Sequence, residues 1–278
     1  MQPFMTSIAK LALLGGLSAL ALGAQAAGLK DIQANKKLVC GTQSASEPYA
    51  FQDPATRRFV GYDVDICQAL ARGLGVQLEH KPLSTEARIP ELKMGRVDVV
   101  AGSMAYLPER AAQVDYSVQY LQGSIKVLVR RDDKLASLAQ LEGKRICASK
   151  GSSSAAIAGR VLAKSQIVTY QDLATCYLGL QNGKVDGISA GELTLKRFEI
   201  ESAKSGSAAV LIDEPLFTER MGVVVNKGNT ELIQAIDRVL AKMDSDGELD
   251  AIYAKWLGKD SIYKLTRTFK VEPVAQAN

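Results

Sequence analysis

Between residues 37 and 225 short apolar runs alternate with segments of helical periodicity, and the series is run through twice. Lys37-Leu38-Val39-Cys40-Gly41 reads as a strand. After Gly61, Val64, Cys67, Leu70 and Ala71 recur at spacings of three and four, which puts them on one face of a helix that Gly73 and Gly75 close. Strand candidates follow at 76–82 and 97–102, with short helices at 89–94 and 107–112. The second series has strands at 125–130, 144–148, 167–170 and 185–189, helices at 152–162 and 173–180, and a further strand at 221–225. The end is helical, over 231–243 and 248–257. Strands alternating with helices predict parallel α/β sheets. With 278 residues the chain is at the limit for one hydrophobic core, so two such series predict two lobes.

The N-terminus is of another kind. Lys10 precedes the apolar stretch from Leu11 to Leu22, and Ala24-Gln25-Ala26 places small residues where a signal peptidase cuts. A basic start, an apolar centre and an A-x-A site predict a secretory signal over 1–26, and therefore an exported mature chain. A formal charge of +4, with basic residues scattered singly or in pairs, predicts no affinity for nucleic acid or membrane surfaces. The single histidine, His80, excludes every site that needs two, and its alternating surroundings predict a structural role. With no phosphate-binding loop and no dinucleotide fingerprint, neither a cofactor nor a metal is expected.

Four cysteines in an exported chain favour disulfides, although four allow three connectivities. Cys147 ends a strand candidate and Cys176 lies in a helix; Cys40 and Cys67 occupy equivalent places earlier. Each pair, Cys147 with Cys176 and Cys40 with Cys67, could staple a strand to the helix that covers it. Ligands of open α/β sheets sit beyond the carboxyl ends of the strands, often where two lobes face each other. Gln43, Thr85, Arg88, Ser103, Ser152, Ser153 and Glu192 all follow strand candidates and are the candidate site residues.

Five segments carry a resemblance, in order along the chain. They are Gly61-Tyr62-Asp63-Val64-Asp65; Leu107-Pro108-Glu109-Arg110 with Val114-Asp115-Tyr116-Ser117; Leu141-Glu142-Gly143-Lys144 with Gly151-Ser152-Ser153; Gly183-Lys184-Val185-Asp186; and Asp246-Gly247 through Ile252-Tyr253-Ala254-Lys255-Trp256-Leu257-Gly258. With them the mature chain resembles the periplasmic amino-acid-binding proteins of ABC importers, bacterial solute-binding protein family 3.

The resemblance implies a two-lobed Venus-flytrap fold of type II, with crossovers near Tyr120–Ser124 and Thr218–Gly222. Lobe 1 would comprise 27–121 and 222–278, and lobe 2 would comprise 122–221. It implies that Arg110 grips a ligand α-carboxylate, as a guanidinium fork suits bidentate carboxylate binding. Arg88 matches an arginine that acidic-amino-acid binders use near the ligand side chain, and Thr85, Gly102 and Ser103 match other lining positions. Departures are Gln43 where those binders have another arginine, Ser46 where many relatives have an aromatic ring, and Gly191 where an aspartate usually receives the α-ammonium. Glu192 stands beside that gap.

The expected function is periplasmic capture of a polar or acidic amino acid (glutamate, aspartate or glutamine class) by a monomer that delivers it to a membrane permease. A different carboxylate, such as a dicarboxylate or a modified amino acid, is the alternative. The enzymatic reading, a cyclohexadienyl-type dehydratase, has Glu192 as its one obvious proton donor.

Overall fold

The computed structural model describes residues 27–206 and 208–275. The signal segment expected over 1–26 lies outside them. Every helix and strand expected from 37 to 257 has a counterpart, with ends displaced by a few residues except in the two central strands. Eight strands form one sheet, in the spatial order Gln77–Leu83, Lys37–Gln43, Val99–Ala105, Ala209–Asn226, Val114–Arg130, Gly187–Gly191, Arg145–Ser149, Gln166–Tyr170. The three strands on each flank run parallel to their flank neighbours, as βαβ connections require. The two central strands are long and antiparallel to each other.

Those central strands differ most from expectation. Strands were expected only at 125–130 and 221–225, whereas the chain is extended over Val114–Arg130 and Ala209–Asn226. The stretch around Asp213-Glu214-Pro215 falls where the pairing shifts register between Ile212 and Phe217, and on either side the two segments pair and bury Ile125, Ile212 and Val224. The segments expected to cross between lobes fall inside them and pair, Thr218 with Ser124 and Met221 with Leu121. Helices Leu29–Ala34 and Glu192–Ser205 and a small sheet over Ala45–Val60 also form in stretches left unassigned above.

Each flank has helices on both faces of its strands and therefore its own core. On one side helices Tyr62–Gly73, Thr230–Ser245 and Glu248–Leu257 bury Ile66, Leu70, Ile236, Leu240 and Leu257. The opposite face of that flank buries Leu92, Val97, Val100 and Met104. The other flank buries Ile125, Val127, Ile146 and Ile157 on one face, and Leu180, Ile188, Leu195 and Phe198 on the other. Cys40 is bonded to Cys67 and Cys147 to Cys176, each a strand-to-helix staple. His80 is structural: Nε2 lies 2.8 Å from Thr42 Oγ1, and the ring tilts against Phe59.

Among the described residues no helix is long and apolar enough to cross a membrane.

Candidate functional site

The carboxyl ends of the flanking strands converge on one cleft between the two halves of the sheet. Its cavity of about 150 Å³ is lined by Gln43, Ser46, Thr85, Arg88, Ser103, Ser152 and Ser153 among the residues singled out from sequence, and by Gly191. Seven of the ten candidates are thus brought together because each follows, or ends, a strand. Three are not on its wall. Gly102 lies just behind, where its carbonyl accepts from Arg88 Nη1 at 2.6 Å and Gln43 Nε2 at 3.3 Å. Arg110 lines an adjoining recess that shares Thr85 and Arg88 with the cleft. Glu192 turns away to pair with Lys126 at 2.9 Å, because it opens a helix whose first turn faces the neighbouring strand.

The first half supplies a linked polar wall. Thr85 Oγ1 donates to Gln43 Oε1 at 2.9 Å, and Arg88 Nε donates to the Thr85 carbonyl at 2.8 Å. Arg88 is 3% exposed and Arg110 8%. Arg110 donates to the carbonyls of Ala105 at 3.2 Å and Gly151 at 3.0 Å. The hydrogen bonds of both guanidiniums thus end on neutral groups, and among the described residues no carboxylate forms an ion pair with either. Burial, followed by the neighbouring Arg110, brings the Arg88 pKa down to about 10, so it stays charged at neutral pH.

Beneath this wall Asp63 is fully buried. Ser103 Oγ donates to it at 2.7 Å and Tyr120 Oη at 2.8 Å, while the Ser103 amide donates back to Tyr120 Oη at 2.9 Å. Ser103 holds a left-handed φ of 48°, a backbone conformation that non-glycine residues adopt at a cost and that is often found at binding sites. Burial raises the Asp63 carboxyl to about 7 against the pull of these hydrogen bonds.

The second half contributes the start of helix Ser153–Val161. Ser152 Oγ caps it by accepting from the Ala155 amide at 3.1 Å, so that hydroxyl is already engaged. Ser153 Oγ donates to Glu219, a buried carboxylate on the central strand that also lines the cleft. Burial raises the Glu219 pKa, opposed by Ser153 and by the charges of Arg110 and Arg88.

The sequence reading missed Glu219, Tyr49, Asp63 and Thr194. Glu219 had no signal: apolar patterning around Phe217-Thr218-Glu219 would bury the phenylalanine, yet Phe217 is 39% exposed and Glu219 4%.

The halves are closed on each other. Lys150 pairs with Glu86 at 2.8 Å, Arg160 with Glu109, and Thr194 Oγ1 donates to the Glu47 carbonyl at 3.3 Å. Gly151, at φ +73°, approaches so closely that an added Cβ would lie 2.8 Å from Glu86 Cα. Only glycine allows this approach.

Comparison with known proteins agrees with this architecture. The chain is 28% identical over 236 residues to the ABC transporter glutamine-binding protein of Bacillus subtilis, covering 84% of this chain and 85% of that one. It is 29% identical to a putative ABC transporter arginine-binding protein of Escherichia coli, over 78% and 89% of the two chains. Among solved structures, an ancestral arginine-binding protein bound to arginine superposes with a TM-score of 0.74 at 30% identity, covering 80% of this chain and 99% of that one. An ancestral amino acid-binding protein described as a precursor of cyclohexadienyl dehydratase superposes with a TM-score of 0.73 at 29% identity, over 84% and 100%. The solved structures are two-lobed proteins, and this chain shares their fold. Residues 38–259 match the description bacterial extracellular solute-binding proteins, family 3. With four-fifths of its length inside that match, the chain belongs to this family of solute-binding proteins.

Proposed function

We propose that the cleft captures an amino acid of the glutamate, aspartate or glutamine class, and that the closed form delivers it to the permease of an ABC importer. One observation carries the reading: two adjacent buried guanidiniums, Arg88 and Arg110, have no carboxylate partner. Buried charges cost several kcal/mol unless paired. A ligand bearing two carboxylates and one ammonium sets its net negative charge against two arginines and Glu219. The hydroxyls of Ser46, Thr85 and Ser103 around the cleft suit a polar ligand. Relatives named for glutamine, arginine and cystine support an amino acid as the ligand.

On this reading 27–121 with 222–278 form one lobe and 122–221 the other, and the protein acts as an exported monomer in the periplasm. Ligand shifts an open–closed equilibrium, by no more than its preference for the closed form.

Thermal unfolding of protein stripped of ligand by unfolding and refolding tests the class. The panel is the twenty amino acids, cystine, succinate and glutarate. A ligand at 100 times its Kd adds about 2.7 kcal/mol, a shift of about 5–10 °C for a chain of this size. Glutamate, aspartate or glutamine should give the largest shift; a larger one with arginine or cystine overturns the class.

One observation favours a second reading, a dehydratase. Glu219 is a cleft carboxyl held above its usual pKa, the property of a general acid. Incubation with prephenate or arogenate separates the two, since only an enzyme forms product over many turnovers.

A further inference from the structure

We infer that Glu219, on the central strand shared by both halves, is the anion that receives the ligand's ammonium and thereby excludes ammonium-free carboxylates. The inference rests on the amino-acid reading above and adds the residue that enforces it.

An ammonium enclosed in a closed cleft needs an anionic partner. Asp172 and Glu219 line this one, and Glu192, Asp63 and Glu86 stand near it, Glu86 paired with Lys150 at 2.8 Å. Glu192 is paired with Lys126 and is not on the wall. Asp172 is on the wall, but its Oδ1 caps helix Leu173–Gln181, accepting from the amide and the hydroxyl of Thr175, both at 2.8 Å. Asp63 lies behind the wall with both oxygens taken, by Ser103 and Tyr120. Glu219 alone among them is on the wall and uncommitted. It pairs with no basic side chain among the described residues, and its one hydrogen bond is from Ser153 Oγ to Oε1. Its Oε2 takes no donor among the described residues. Glu219 itself lines the cleft.

The placement has a consequence for selectivity. Glu219 stands opposite Gly123 in the pairing of the two central strands, and Ser153 ties it to the helix start of the second half. The arginines stand on the first half. A ligand is therefore read as a cation at the central strand and as an anion beside Arg88. A dicarboxylate without an ammonium would leave Glu219 unpaired beside like charge, a penalty that discriminates by repulsion.

Isothermal titration of the full, ligand-stripped chain tests this, with the twenty amino acids as ligands and glutarate as the ammonium-free probe. Wild type should bind its amino acid and reject glutarate. Glu219→Gln, which keeps the shape, should weaken the amino acid at least 100-fold and leave glutarate unchanged or tighter. Adding Gly191→Asp to that variant should recover at least tenfold. Gly191 lines the same cleft, its φ is −58°, and an added Cβ meets nothing nearer than Tyr49 Oη at 3.6 Å. An amino-acid Kd within threefold of wild type in E219Q overturns the role, and so does wild type binding glutarate as tightly as the amino acid. If arginine binds wild type and glutamate does not, the ligand class proposed above fails, while the E219Q loss measured with arginine still scores Glu219. If wild type binds glutarate and no amino acid, both fall.

Discussion

The two halves of the molecule contain the same local device in opposite electrostatic settings. Gly95-Arg96-Val97-Asp98 and Gly183-Lys184-Val185-Asp186 each leave a helix through a left-handed glycine, φ 67° and 66°. Each then presents an aspartate to the backbone of its half's first strand. Asp98 Oδ2 accepts from the Val39 amide at 2.8 Å, and Asp186 Oδ2 accepts from the Arg145 amide at 2.8 Å. The aspartate amides donate back to the same two residues, at 2.8 Å in both halves. The side-chain neighbours differ. Arg145 grips Asp186 through Nε at 3.1 Å and Nη2 at 2.8 Å, and holds it down at about 2. Asp98 has no such fork; Lys37 nearby is paired with Glu79, and burial pushes Asp98 up. Identical backbone roles therefore say nothing about protonation, which is set by what tertiary packing brings alongside.

The largest effect that sharpens the contrast belongs to Asp63, a second acid of the first half that lies buried without a paired cation. Its native pKa of about 7 lies above the ordinary value of 3.8. The unfolded chain therefore loses this proton first, and the stability contribution declines as pH rises from about 4 to about 7, then levels off. Linkage puts the decline at up to about 4 kcal/mol. Urea unfolding of wild type and Asp63→Asn across pH 4–8 measures it as the difference between the two curves. A pH-independent difference would mean that Asp63 is ionised throughout. Asp186 has the opposite sign: its contribution is full above about pH 4 and is lost as pH falls toward 2.

The disulfides come next, and there the halves should agree. Sequence separations of 27 and 29 residues close nearly equal loops. Chain entropy predicts about 3–4 kcal/mol for each. Cys40→Ala/Cys67→Ala and Cys147→Ala/Cys176→Ala should each lower Tm by about 7–15 °C. Losses differing by more than about 1.5 kcal/mol would show that the two staples are not equivalent.

The smallest effect separates the matched aspartates themselves. Asp186→Asn removes charge-assisted bonds worth roughly 1.5–3 kcal/mol and strands Arg145, so it should cost about 2–3 kcal/mol at pH 7. Asp98→Asn keeps an oxygen for the Val39 amide and removes a disfavoured charge, so it should cost under about 1 kcal/mol. Equal losses in urea unfolding would erase the distinction drawn between the halves.

Much of this was legible beforehand. Helix Tyr62–Gly73 shows its buried face in the spacing of Cys67, Leu70 and Ala71, because local periodicity is imposed by the same core that buries it, though the expected Val64 is only partly buried and Ile66 is buried instead. That Gln43, Thr85, Ser103, Ser152 and Ser153 would meet at one cleft was legible because strand ends converge in any open α/β sheet. The strand from Ala209 to Arg220 was not, although Ala209-Val210-Leu211-Ile212 is an apolar run, since Asp213-Glu214-Pro215 interrupts it before the pairing resumes at Phe217. Arg110 shows the limit of a motif: it is buried as expected, yet its guanidinium lines the recess beside the cleft and reaches across to the Gly151 carbonyl.

By itself the sequence determined the alternation of strands and helices, the two α/β series and the set of polar residues at the strand ends. These follow from local spacing and from the right-handed connectivity of parallel strands. Tertiary structure alone decided which carboxylate faces the cleft unpaired, which acids are driven up or down, and where the halves touch. Burial, and the distance to a counter-charge, are set by segments far apart in the chain. Glu219 meets Ser153 from 66 residues away, a proximity no window of sequence contains.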